Sequence, residues 1–320
     1  MYDTMTVYPS GTYVPQREAK FIRSMQTCPH LRALLRHLAI WQSGSQVEEQ
    51  LQWIRLLPED TLRILHYFWS HNKPHLSVFD APAVRTITQL DISGDITPAI
   101  AKACLSLPSL QTLCITFYNT ASYDCALEVT PSPSLKHLVV IMIYQCSFTY
   151  RFLAVCAPQL STLALLPAVH FMDNPGATVV DTLLACTGQL TEFSLFGWGA
   201  WSPARPFMDD LVLRNPALER VCCLEGTYSE QLFQHLPATL RVLELATGVA
   251  PYPYERALLD YIARVGEEGL GLRRLCLLMS CIDEEPWAHI AESCKKSGVE
   301  FSLDVHRETL YKARGREWCA

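Results

Sequence analysis

The sequence predicts an α/β solenoid, with a parallel sheet on the concave side and helices on the convex side. Three observations predict it: one apolar pattern recurs down the chain, a proline or glycine punctuates most copies, and amphipathic helical stretches lie between copies. The pattern is L-x-x-L-x-L, where L is aliphatic, aromatic or, once, cysteine. It opens as Leu35-x-x-Leu38-x-Ile40, Leu62-x-x-Leu65-x-Tyr67, Ile87-x-x-Leu90-x-Ile92, Leu110-x-x-Leu113-x-Ile115 and Leu135-x-x-Leu138-x-Val140. It continues as Leu160-x-x-Leu163-x-Leu165, Leu190-x-x-Phe193-x-Leu195, Leu218-x-x-Val221-x-Cys223, Leu240-x-x-Leu243-x-Leu245 and Leu272-x-x-Leu275-x-Leu277.

Successive anchors are 27, 25, 23, 25, 25, 30, 28, 22 and 32 residues apart. Most of these steps fall in the range of roughly 20–29 that marks leucine-rich repeats. The expected fold is therefore an irregular leucine-rich-repeat-like solenoid of ten strand–helix units. The second observation is independent of the first. Pro108, Pro133, Pro158, Gly188 and Pro216 each sit two residues before an anchor. Proline stops a helix and favours extended backbone before it, so each should end a helix and launch a strand. Pro29 and Pro82 open their copies in the same way. The third observation is helical periodicity at Thr149 to Cys156, Ala177 to Cys186, Phe207 to Arg214 and Tyr254 to Val265. In the last of these, Ala257, Leu258, Tyr261, Ile262 and Val265 share one face. A lone unit cannot bury its apolar side, so neighbours must stack on one continuous core. The expected organisation is an N-terminal arm and capping helix over 1–30, the solenoid over 31–305, and a polar tail over 306–320. A monomer is expected.

Composition narrows the function classes. Of 320 residues 49% are hydrophobic and 18% charged, enough apolar surface for an ordered core. A formal net charge of -6 argues against nucleic acid as the main partner, since phosphate binding wants a basic face. The longest apolar run, Leu138 to Tyr144, is too short to cross a bilayer, so no membrane role is expected. The N-terminus has no basic start followed by an apolar run, and the thirteen cysteines form no secreted-type framework. Reduced thiols in the cytoplasm or nucleus are the expectation.

The phase of the repeat nominates a binding surface. Within each strand the L positions point into the core and the alternate positions point outward, lining the concave sheet. The last outward position carries Trp41, Phe68, Ile141, Leu166, Phe196 and Leu224 in six of the copies. A large exposed apolar stripe marks a protein interface, and aromatic anchors carry much of the binding energy. A protein partner on the concave face is therefore expected, with those six as its contacts. The loop Gly197-Trp-Gly-Ala-Trp-Ser-Pro-Ala-Arg-Pro206 adds Trp198, Trp201 and Arg205, a composition typical of binding hot spots.

Chemistry is not expected. His71-x-x-x-His75 has helical pair spacing but encloses Pro74 and lacks a third ligand, so no metal site is predicted. No Cys-x-x-Cys, Gly-x-Ser-x-Gly or phosphate loop occurs. Gly266, Gly269 and Gly271 cluster after a helix and before a strand, the reverse of a dinucleotide fingerprint. Glu48-Glu49, Asp209-Asp210 and Glu284-Glu285 read as solvated faces or charge near helix starts. No catalytic residue and no cofactor are predicted.

Four segments carry a family resemblance: Phe21-Ile-Arg-Ser24, Cys28-Pro-His-Leu-Arg-Ala-Leu-Leu-Arg-His-Leu38, Trp53-Ile-Arg-Leu-Leu-Pro-Glu-Asp-Thr-Leu-Arg63 and Ala81-Pro-Ala-Val-Arg-Thr-Ile87. From Phe21 to Leu90 the chain resembles the start of the leucine-rich region in F-box-like proteins of mushroom-forming fungi, and more loosely to about residue 279. The resemblance implies a protein-interaction module that holds a target for a cullin-type ubiquitin ligase. In that family an F-box helix bundle docks on the ligase adaptor. Leu57-Pro58-Glu59 resembles an F-box opening, yet it falls in phase with the repeat, and the later apolar-Cys-x-x-Trp segment is missing. With no F-box readable, adaptor docking is not expected of these residues, and a stand-alone scaffold is the alternative. The asparagine or cysteine that usually follows the strand pattern is also absent. Asp95, Tyr118, Ile143, Ala168 and Trp198 stand there, which predicts irregular turns and uneven curvature.

Overall fold

Each of the ten apolar patterns becomes a strand that starts one residue before its second apolar position. In the computed structural model, which describes residues 4–7, 16–43, 51–70, 74–118, 127–143, 147–167, 177–196, 206–247, 252–279 and 285–305, the strands are β2 (His37–Ser43), β3 (Ile64–Ser70), β4 (Gln89–Gly94), β5 (Thr112–Phe117), β6 (His137–Met142), β7 (Thr162–Pro167), β8 (Glu192–Leu195), β9 (Arg220–Leu224), β10 (Val242–Ala246) and β11 (Arg274–Met279). The two inward positions of each, from Leu38 and Ile40 through Leu275 and Leu277, are 0% exposed. Burying one such side chain contributes roughly 1.5–3 kcal/mol, which is why the inward phase tolerates no slip. The region 1–30, expected as an arm and capping helix, holds a strand, β1 (Thr4–Val7), and a helix, Gln16–Thr27. A twelfth strand, β12 (Glu300–Val305), had a legible signal in the alternation Val299, Phe301, Leu303, Val305. The expected tail over 306–320 lies outside the described residues.

The chain folds as two compact units, Met1–Gln159 and Leu160–Ala320. In the first, β1 to β6 pair in sequence order and all in parallel. In the second, β7 to β12 do the same. The register has no stagger, so His37, Ile64, Gln89, Thr112 and His137 lie side by side, as do Thr162, Glu192, Arg220, Val242, Arg274 and Glu300. Parallel neighbours require a crossover each time. Among the described residues most crossovers are helical, and Pro98–Leu105, Ser147–Cys156, Ala177–Cys186, Phe207–Arg214, Glu255–Glu268 and Ala288–Lys296 are the longer helices. Others shrink to a single turn, as at Gln52–Leu56, Leu76–Val78, Pro82–Arg85 and Leu232–His235. Each unit is thus an irregular α/β leucine-rich-repeat-like array.

Local chemistry explains where the helices start. Thr97 caps Pro98–Leu105, its hydroxyl accepting from the Ile100 amide at 3.4 Å, with Pro98 at the first helical position where its missing N–H is not needed. In Glu255–Glu268 the buried positions Leu258, Tyr261, Ile262 and Val265 form the expected face, while Ala257 is half-buried, and Gly269 ends the helix in the left-handed conformation.

At Pro216 the expected helix stop is seen, since Phe207–Arg214 ends just before it and Asn215 is no longer helical, and the prolines also have a second role. Anchor amides close a short turn onto the carbonyl three residues earlier: Leu110 to Leu107, Leu135 to Ser132 and Leu218 to Asn215 at 3.0–3.3 Å. Pro108, Pro133 and Pro216 occupy the second position of those turns, for which proline's fixed φ is preset. Pro108 and Pro216 thus follow a helix end and also shape the approach to the next strand.

Among the described residues, assorted side chains rather than one repeated residue stitch several turns to the previous copy. Ser132 donates to the Pro108 carbonyl at 2.8 Å, Gln159 to the Ser132 carbonyl at 2.8 Å, and Thr239 to the Pro216 carbonyl at 3.1 Å. Asn215 is fully buried; its Oδ1 accepts from the Leu190 amide at 3.1 Å and its Nδ2 donates to the Leu211 carbonyl at 2.8 Å. Gly271 makes a close stitch, since a Cβ there would lie 2.5 Å from the Ala238 carbonyl oxygen. Its amide donates to that same oxygen at 3.1 Å.

Candidate partner-binding face

Outward positions on β2 to β4 are open, and beyond the first residue those of β5 to β11 are not. β4 alternates half-buried and buried residues along its length, the signature of a sheet with one wet face. On β2, Trp41 is 47% exposed, and on β3, His66 and Phe68 are half-buried. From β5 on, only the first residue of each strand keeps solvent contact wherever the whole strand is described, as in β5, β6, β9, β10 and β11.

This corrects the expected stripe. Trp41 and Phe68 are where the phase placed them, but Ile141, Leu166, Phe196 and Leu224 are 6%, 5%, 2% and 5% exposed. They belong to the interior. The signal was present in the strands themselves. Thr-Leu-Ala-Leu-Leu-Pro (β7) and Arg-Leu-Cys-Leu-Leu-Met (β11) are near-continuous apolar runs, the pattern of parallel strands buried on both faces. Gln-Leu-Asp-Ile-Ser-Gly (β4) alternates. Trp198, Trp201 and Arg205 lie outside the described residues.

Sheet register builds the open site. Trp41 and Phe68 are partners across β2 and β3, with ring centroids 4.4 Å apart at 33°. One step back along the strands, His66 and Asp91 are partners across β3 and β4, and His66 Nδ1 lies 3.2 Å from Asp91 Oδ2. His66 and Phe68 are on the same side of β3, rings nearly parallel at 6.3 Å. Ala39 and Ser93 complete the two rows with small side chains. The aromatic pair and the carboxylate thus share one shallow surface. Sequence reasoning found the aromatics but not the His66–Asp91 pair. Its signal was the strand phase, which puts both residues at the same outward position.

On the second unit the corresponding face is polar but closed. Arg220 Nη2 is 2.9 Å from Glu244 Oε1, one strand over, and the Glu244 side chain is 6% exposed. Burial pulls the Arg220 guanidinium down, but Glu244 beside it, with Glu192 nearby, more than offsets that and holds it above its ordinary range. Arg220 Nε and Glu244 Oε2 are each buried without a partner. They are the second prong of the same fork, so a small rotation satisfies both and no ligand is needed to explain them. Cys222 and Cys276 flank Glu244 in register. Burial raises both thiols, Cys276 to about 12 and Cys222 well above its ordinary value with Glu244 adding to the effect. Such thiols are inert as nucleophiles.

Among the described residues, no group of three His, Cys, Asp or Glu side chains could hold a metal ion, and no helix is long and apolar enough to cross a membrane. No family model and no curated protein matches this sequence. Among solved structures, the chain is similar at 14% identity to TLR13 in the TLR13–ssRNA13 complex, over 86% of this chain and 43% of that one, with a TM-score of 0.41. This chain therefore spans less than half the length of that one. It is also similar at 14% identity to the leucine-rich repeat-containing protein LegL7 from Legionella pneumophila, over 96% of this chain and 89% of that one, with a TM-score of 0.40.

Proposed function

We propose that this chain is a protein-interaction module, and that its first unit receives the partner on the outward face of β2 to β4. One observation carries the reading: Trp41, 47% exposed on a sheet face and packed on Phe68, is a large aromatic with no core position to fill. Together the two rings make a contiguous apolar patch on the sheet surface, and tryptophan is enriched among the residues that dominate interface energy. Inert buried thiols and the absence of a metal-competent cluster among the described residues favour recognition over catalysis. The acidic balance of the chain disfavours nucleic acid as the partner. Free cysteines throughout the described residues suit the reducing cytoplasm or nucleus.

The family resemblance of Phe21 to Leu90 makes the finer reading a target-holding module of a cullin-type ubiquitin ligase of the F-box kind. The alternative is a scaffold with no ubiquitin role. The test is proximity labelling in the native cell with the intact chain and with Trp41→Ser/Phe68→Ser. Loss of a discrete set of labelled proteins in the double variant supports the interaction reading; an unchanged set refutes it. Co-purification of the ligase adaptor with the intact chain supports the finer reading, and its absence leaves the scaffold.

A further inference from the structure

We infer that the open strip on β2 to β4 selects a cationic side chain, an arginine or lysine of an extended partner segment, whose stem lies on Trp41 and Phe68 and whose charge meets Asp91. The inference rests on the interaction reading above and specifies its partner. Asp91 is the only carboxylate among the outward residues of β2 to β6, and none of them is lysine or arginine. Its side chain is 14% exposed, and only Oδ2 is engaged, by His66 at 3.2 Å. A carboxylate accepts at both oxygens, so Oδ1 retains capacity.

The aromatic pair and the carboxylate cannot be covered separately. Asp91 is one strand over from Phe68 and two residues back, within the footprint of any segment that buries the two rings. An apolar partner seated there would strip water from a charged group and return nothing, which costs more than the aromatic contact gains. An acidic partner would add repulsion. A cationic side chain resolves both demands at once. Its methylene stem is apolar, its head is attracted by an aromatic face, and its N–H groups satisfy Asp91 Oδ1. Arginine fits best, because a planar guanidinium stacks on a ring and forks onto a carboxylate together. Half-burial of Asp91 keeps that contact less screened than a surface ion pair.

The test selects binders from a displayed library of random short peptides on the intact chain, then measures the winners against variants. Enrichment of Arg or Lys at one anchor position is expected. Asp91→Asn should weaken the selected peptides about 10-fold or more, the scale of a lost charge-assisted contact. Glu59→Gln removes the same charge from an exposed turn and should change affinity less than about 2-fold. Winners without a cationic anchor, or winners indifferent to Asp91→Asn yet lost in Trp41→Ser, overturn the inference and leave the interaction reading standing. Failure of the intact chain to enrich any peptide, or winners equally strong on a folded Trp41→Ser variant, overturns both.

Discussion

The outward faces of β2–β4 and of β8–β11 occupy equivalent places in the two units, and they are built on opposite principles. The first exposes an aromatic pair beside a half-buried histidine–carboxylate contact and contains no arginine. The second contains Arg220 and Arg274, each directed at an acid on the next strand, and buries Ser194, Cys222, Leu224 and Leu278 beneath 6% exposure. The first leaves aromatic area open to solvent. The second leaves solvent contact to the first residues of its strands, Arg220 and Arg274 among them. The same repeat pattern therefore sets the inward face everywhere, and the residues between the pattern positions decide what the opposite face is for.

The largest effects should come from treating the closed face as though it were open. Leu224→Ala removes a side chain that is 5% exposed and should cost about 2–4 kcal/mol, read as a lower urea midpoint, the cost of a core truncation rather than of a surface change. A cost below 1 kcal/mol would show that β9 is as open as β3. Arg220→Met leaves Glu244 buried and unpaired, for about 2–3 kcal/mol, less than the 3–5 of a fully enclosed pair because Arg220 is 30% exposed. Adding Glu244→Met should return most of that loss, since two apolar side chains carry no desolvation penalty. The parallel change on the first unit, Asp91→Asn, should cost less than about 1 kcal/mol of stability. Equal losses at Arg220 and Asp91 would erase the contrast.

Much of this was legible beforehand. Ten strands, their first residues and their inward phase follow from L-x-x-L-x-L, because the period-two rule leaves each apolar set one face to occupy. What the phase could not say was whether the other face is wet. Trp41 and Leu224 hold the same pattern position, yet one is 47% exposed and the other 5%. Composition between the anchors carried that distinction. Cys222-Cys223-Leu224 reads as a strand buried on both faces, whereas Gln89-Leu-Asp-Ile-Ser93 reads as a strand buried on one. Asn215 was harder to see, because its partners, the Leu190 amide and the Leu211 carbonyl, are brought together only by the stacking of one repeat on the next.

That stacking can be tested at an intermediate scale. Asn215→Ala orphans the buried Leu190 amide and Leu211 carbonyl and should cost about 1–3 kcal/mol, with faster hydrogen exchange at Leu190. Alkaline titration sharpens the comparison without mutation. Burial raises Tyr228, Tyr252 and Tyr261 in the second unit, Tyr261 to about 12, and Cys294 to about 11. In the first unit burial raises Tyr67, Cys104 and Cys156. A group raised on folding lends stability that is complete below its unfolded value and is lost as pH climbs through the folded one. With ordinary values of 9.0 for thiols and 10.0 for phenols, the loss should begin above pH 9 and deepen toward pH 12. Having more such groups, the second unit should lose exchange protection at a lower pH than the first, as tyrosinate absorbance rises. The reverse order would mean that its buried hydroxyls and thiols are more accessible than their packing indicates.

Small effects on stability are also expected at the aromatic residues proposed to bind. Trp41→Ser removes a half-exposed ring from the sheet surface, leaving Phe68 with its contacts on β3 and the inward core of β2, Leu38 and Ile40, untouched. The loss should stay near the 0.5–1.5 kcal/mol typical of one aromatic pair, with an unchanged circular dichroism spectrum. Phe68→Ser should cost somewhat more, because Phe68 is half-buried and packs on both Trp41 and His66. A small loss would mark Trp41 as a surface residue, as the proposed binding strip requires. If Trp41→Ser instead lowers the urea midpoint as far as Leu224→Ala, Trp41 is a core residue, the two faces are alike, and the binding strip must be sought elsewhere on the molecule.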